Sequence, residues 1–72
     1  MTNRPMFSIR ISAIKAEDAD NYAIMMGFAR VHQEGPTIRS NRKLVKSVDD
    51  IDAVAKSIVD ELAPQIKDRL VD

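Results

Sequence analysis

The chain has no cysteine and no tryptophan, and among its 72 residues are only two glycines, three prolines and one histidine. Without cysteine there is neither a disulfide framework nor a thiolate metal site. Small secreted domains usually depend on such staples. Their absence points to a reducing compartment or to stability gained by association. Gly27 and Gly35 lie too far apart to form a phosphate loop, and no dinucleotide or Walker fingerprint is present. The lone imidazole, His32, has no His, Cys or carboxylate partner at metal-ligand spacing. It reads as a solvated side chain near a turn. Long hydrophobic runs are absent too. The longest mainly apolar stretch, Tyr22 to Val31 (interrupted by Arg30), has ten residues, too short to cross a bilayer. Met1-Thr2-Asn3-Arg4-Pro5 does not lead into the apolar core of a signal peptide. The expectation is a soluble cytoplasmic protein.

Catalytic constellations are likewise missing. Asp49, Asp50 and Asp52 lack the fixed loop pattern and distal Glu of an EF-hand. Asp60 and Glu61 are neighbours on a helix and do not face each other. No serine has a nucleophile-elbow context. The reading is a non-enzyme with no cofactor and no metal.

What is present is sorted charge. Residues 1–46 hold eight Lys/Arg (Arg4, Arg10, Lys15, Arg30, Arg39, Arg42, Lys43, Lys46) against four acids. Residues 47–72 hold three Lys/Arg against seven acids (Asp49, Asp50, Asp52, Asp60, Glu61, Asp68, Asp72). The overall charge of zero hides a basic half and an acidic half. The hydrophobic period changes at the same boundary, Lys46-Ser47.

Upstream of the boundary the period is two. Phe7, Ile9, Ile11 and Ala13 alternate with Ser8, Arg10 and Ser12, a half-buried strand. Residues 22–33 are compatible with helix or strand. A helix would be apolar all round and would carry Gly27 inside it at a cost of about 1 kcal/mol. A strand puts Ile24, Met26 and Phe28 on one face and Ala23, Met25, Gly27, Ala29 and Val31 on the other. The strand is favoured, with a turn at Glu34-Gly35-Pro36. Residues 37–46 are basic and weakly alternating and read as a third strand.

Downstream the period is 3.6. Ser47-Val48-Asp49-Asp50 resembles a capping box. Ile51, Val54, Ala55, Ile58, Val59 and Leu62 then fall on one helical face. Pro64 lacks a backbone donor and predicts a helix end or kink, with a short terminal helix over 65–71.

The expected fold is a single α+β domain. A three-stranded antiparallel meander (about 6–15, 22–33 and 37–46) is covered on one face by a C-terminal helix (about 48–62). Strands 1 and 3 are edges. Arg39, Arg42, Lys43 and Lys46 protect the third; the first is long and lightly charged. Phe7, Ile9 and Ile11 therefore mark an expected dimer edge.

Phe7-Ser8-Ile9-Arg10-Ile11-Ser12 also resembles the DNA-reading strand of ribbon-helix-helix repressors. That resemblance implies a β-α-α dimer with residues 17–34 helical and Ser8, Arg10 and Ser12 facing bases. The spacing departs from the family, whose two helices are joined by a short turn. Here Gly35 to Lys46, about a dozen residues, intervene.

The basic set Arg10, Arg30, Arg39, Arg42, Lys43 and Lys46 is the candidate contact surface. Without a site for chemistry, the sequence reads as a small homodimeric regulator or inhibitor of a larger protein, of the kind phages and plasmids carry. Two alternatives accompany it. One is a dimeric DNA-binding protein using residues 6–13 and 39–46. The other is a structural subunit of an assembly. No membrane partner is expected.

Overall fold

The computed structural model describes residues 6–32 and 35–70. Four strands and one helix form two layers: β1 (Phe7–Lys15), β2 (Ala23–Val31), β3 (Thr37–Arg39), β4 (Lys43–Val45) and α1 (Ile51–Leu70). β1 pairs antiparallel with β2 along its whole length, from Phe7 opposite Val31 to Lys15 opposite Ala23. β3 and β4 both pair with the other side of β2. The helix lies across one face of this sheet, chiefly on β2. The α+β meander expected from the sequence is the observed fold.

Residues 23–31 are a strand, which removes the ribbon-helix-helix alternative. The side chains explain the choice. Along β2 the residues toward α1 are buried and the alternate ones are only half-buried or exposed. Two faces of different burial require a period of two. The connection before β2 is a tight turn held by Asp18, whose carboxylate accepts the Asp20 N–H at 2.9 Å and the Asn21 side-chain amide at 3.1 Å.

The sequence reads as one continuous third strand over 37–46; the structure divides it into β3 and β4. Arg39 stands opposite Phe28 and Lys43 opposite Met25, so Ser40, Asn41 and Arg42 oppose only Gly27 and Met26. This is a β-bulge, one extra residue inserted in the edge strand. It inverts the alternation. Ile38 before it and Val45 after it both point into the core, whereas Leu44 faces outward at 58% exposure. An unbroken strand would have buried Leu44 with Ile38.

The helix differs from expectation at both ends. Ser47 is extended, but its hydroxyl caps nothing. Its carbonyl instead accepts the Asp50 N–H at 3.1 Å, closing a 3-10 turn over Val48–Asp50 from which α1 begins at Ile51. The tighter turn satisfies the donor with backbone, so no capping box forms. At the other end α1 runs through Pro64 without a break to Leu70, replacing the separate terminal helix; the expected end at Val71 falls outside the described residues. Pro64 costs about 3 kcal/mol inside a helix. Offsetting it, Ile58, Leu62 and Ile66 form one buried stripe that crosses the proline. Burying an Ile or Leu side chain contributes about 1.5–3 kcal/mol, so a helix that stopped at Pro64 would lose the burial of Ile66.

The core is aliphatic: Met25, Val31, Ile38, Val45, Ile58, Leu62 and Ile66, with Ala23 and Ala29. Val59, placed by periodicity on the inward face, lies at its margin and is 37% exposed. At Gly27 the helix packs closely on the sheet. A Cβ there would overlap Ile58 Cγ2 and lie 3.0 Å from Leu62 Cδ1.

Candidate interaction surface

Among the described residues, nothing covers the sheet face away from α1. Residues directly opposite one another on antiparallel strands share a face, so the pairings lay this surface out in rows. Ser8, Arg30 and Thr37 form the first. Arg10, Phe28 and Arg39 form the second. Ser12 and Met26 follow, with Arg42 of the bulge lining the same depression. Ile14, Ile24 and Leu44 form the last. Among the described residues, these rows contain no Asp or Glu.

The surface is therefore graded, basic and hydroxyl-rich at one end and aliphatic at the other. At the apolar end Ile14 and Leu44 are 65% and 58% exposed. At the basic end the Arg10 guanidinium sits 5.2 Å from the Phe28 ring centroid. That is cation–π range. Arg30 donates to the Thr37 hydroxyl at 3.3 Å. Charge and ring are held on strands, not loops, so their spacing is fixed by the sheet.

Of the six basic residues singled out from the sequence, this face gathers four: Arg10, Arg30, Arg39 and Arg42. Lys43 does not belong to it. The bulge turns it toward the helix, where its ammonium lies 3.1 Å from Glu61 Oε1. Lys46 is exposed beyond the end of β4, outside the rows. Phe28 is the residue that sequence reasoning missed. Phe28 lies far in sequence from Arg10 and Arg39, so no local pattern joins them. Antiparallel pairing makes the three of them one row.

The bulge that redirects Lys43 is held from both sides. The buried Ser40 hydroxyl accepts the Gly27 N–H at 2.8 Å and donates to the Asn41 carbonyl at 3.0 Å. From the helix, the Glu61 carboxylate accepts the Asn41 backbone N–H at 2.5 Å, its side-chain amide at 3.3 Å and the Lys43 ammonium. The Asn41 backbone donor, then Lys43, holds the Glu61 carboxyl below its usual value. Charged hydrogen bonds favour the ionised form.

Other features gather less chemistry. A widely open groove of about 720 Å³ flanks the β1–β2 connection near Lys15, Glu17, Asp18 and Tyr22. Among the described residues no three His, Cys, Asp or Glu side chains cluster for a metal. His32 is exposed and adopts φ 65, a left-handed conformation at the end of β2. No helix of the described residues is long and apolar enough to cross a membrane. On the inner side of β1, Phe7 is 44% exposed, and Ile9 and Ile11 pack partly against the core.

No protein-family model matches the chain, and no match was found among curated proteins or solved structures.

Proposed function

We propose that the protein is a non-enzymatic binding module that docks a larger protein on the open face of its sheet. The observation that carries this reading is the surface, without Asp or Glu among the described residues, that grades from Arg10, Arg30, Arg39 and Arg42 into the exposed Ile14 and Leu44. Arginine suits carboxylate pairing through its planar fork of donors. Exposed aliphatic residues contiguous with such a cluster mark a protein contact. The fitting partner presents acidic side chains beside apolar ones. A surface with no metal cluster beside it among the described residues suits a regulator or inhibitor.

A second reading is favoured by the Arg10–Phe28–Arg39 row. An aromatic ring between arginines, with Ser8, Ser12 and Thr37 nearby, is a platform on which a nucleic-acid base stacks while phosphates meet the guanidinium groups. The aliphatic end has no use in that reading, which places it second.

The two separate with a photo-crosslinking side chain installed at Leu44 and exposed to a lysate of the source cells. The protein reading expects adducts that survive nuclease and are removed by protease. Nuclease-sensitive adducts transfer the face to nucleic acid. Binding of that kind would also weaken steeply between roughly 50 and 200 mM salt as counterions are released. Absence of any adduct at Leu44 and at Met26 rejects both.

A further inference from the structure

We propose that two copies of the chain form a two-fold homodimer by antiparallel pairing of β1 with β1, with Ile11 opposite Ile11 of the partner subunit. Three observations converge on this edge. Among the described residues, β1 pairs only with β2, so along its nine residues every second one presents an unpaired N–H and C=O at the outer edge. The opposite edge of the sheet is protected, broken by the bulge and lined by Arg39 and Arg42. β1 has none of these defences: no bulge, no proline, no glycine and a single charge, Arg10, before Lys15. Exposed edges of that kind recruit another strand.

The second observation is an unfinished layer. α1 lies chiefly on β2 and only lightly on β1. Phe7 is therefore 44% exposed, Ala13 is exposed, and Ile9 and Ile11 are only half-buried on the inner side. These four side chains have a floor but no roof. A second β1 beside the first brings the same four from the partner alongside them, with its own helix beyond.

The third is that the sequence selects one register. Both inner faces must stay on the same side, so each residue must pair with one of equal parity and the two-fold axis must pass beside a residue. An axis at Arg10 sets Arg10 against its own copy, and like charges directly opposite are unfavourable. An axis at Ile9, Ser12 or Ala13 leaves part of the strand unpaired. The axis at Ile11 uses all of Phe7–Lys15. It places Ile9 opposite the partner's Ala13 on the inner side and Arg10 opposite the partner's Ser12 on the open side.

The assembly completes the contact surface. The two open faces join into one continuous sheet, with an Arg10–Phe28–Arg39 row on each side of the axis. A partner binding there would meet arginines from both copies.

The native mass at micromolar concentration, by light scattering, tests the assembly directly. Two chains of 8.1 kDa give about 16 kDa; a mass of 8.1 kDa overturns the proposal. Register is read by single-cysteine variants, which are unambiguous because the chain has no cysteine of its own. Mild oxidation should convert Ile11→Cys into a covalent dimer, since facing residues lie within disulfide reach. Ile9→Cys alone and Ala13→Cys alone should not cross-link, because each lies about 13 Å along the strand from its own copy. Ile9→Cys combined with Ala13→Cys should cross-link, and this checks the same register even if Ile11→Cys perturbs folding. A dimer linked through Ile9→Cys alone contradicts the Ile11 axis. A monomer that still binds a partner through Arg10 and Arg39 sinks the dimer and leaves the docking face standing.

Discussion

Glu61, on the helix, accepts the backbone N–H of Asn41 at the centre of the edge-strand bulge, 2.5 Å away. The same carboxylate holds Lys43 at 3.1 Å. One helical side chain thereby secures an extra residue in the sheet and withdraws one lysine from the strand's charged row. It also links the basic and acidic halves of the chain. Glu61 is depressed below its usual pKa by these contacts. The sign follows from linkage. A carboxyl whose folded value is depressed adds stability that is fully present above its unfolded value, about 4.3, and is lost as pH falls through the folded value. The urea midpoint should therefore fall below about pH 4 more steeply for the natural chain than for Glu61→Gln. Parallel acid profiles for the two proteins would show that Glu61 makes no differential contact.

Gly27 is required by proximity to the helix and not by an unusual backbone angle. Gly27→Ala should destabilise the fold by about 1–3 kcal/mol, the usual cost of overpacking. Because the added methyl meets Ile58 and Leu62, Ile58→Ala should be less harmful in the Gly27→Ala background than alone. Chemical denaturation of the four proteins of this cycle checks it. Strict additivity would mean that the methyl is accommodated elsewhere.

Ser40 is the one buried polar side chain of the described residues, and its hydroxyl is fully engaged. Ser40→Ala leaves the Gly27 N–H without that acceptor and should cost about 1–3 kcal/mol. Deleting Asn41 is a harsher test. It removes the extra residue, so Leu44 would turn inward and Val45 outward. The deleted chain should fail to unfold cooperatively. A cooperative transition near the natural midpoint would mean that the bulge does not set the register.

Pro64 sits exposed in a helix that continues past it. Pro64→Ala restores a donor for the Asp60 carbonyl and should raise stability, by up to about 3 kcal/mol on the propensity scale. Thermal unfolding followed by circular dichroism reads this directly. A lowered midpoint would mean that the packing of Ile66 and Leu70 depends on a bend imposed by the proline.

The elements that were legible in the sequence are those whose pattern is local. The alternation of Phe7 to Ala13 specified β1. Residues 22–33 fitted helix or strand, and the burial contrast between Ala23, Met25, Gly27 and their neighbours that marks β2 exists only once α1 covers one face. The stripe through Ile51, Val54, Ile58 and Leu62 specified the helix. What was not legible depends on partners distant in sequence. Nothing near Ser40 announces a bulge, because its stabilising groups are Gly27 and Glu61. Lys43 read as one more charge of a basic run until Glu61 claimed it. Pro64 read as a stop because the burial of Ile66 across it is a tertiary effect. Ser47 read as a cap because the residue types fit, and the backbone closed a 3-10 turn instead. The Arg10–Phe28–Arg39 row exists only once three strands are paired.

The docking face is tested most directly by the yield of cross-linked partner from a photo-reactive side chain at Leu44. The natural surface should be compared with Arg10→Glu combined with Arg39→Glu, and with Lys67→Glu combined with Arg69→Glu on the helix as a charge-matched control. The account predicts a protein adduct that is lost on reversing Arg10 and Arg39 and retained on reversing Lys67 and Arg69, with all three proteins equally folded by circular dichroism. Equal adduct yield from all three would contradict it.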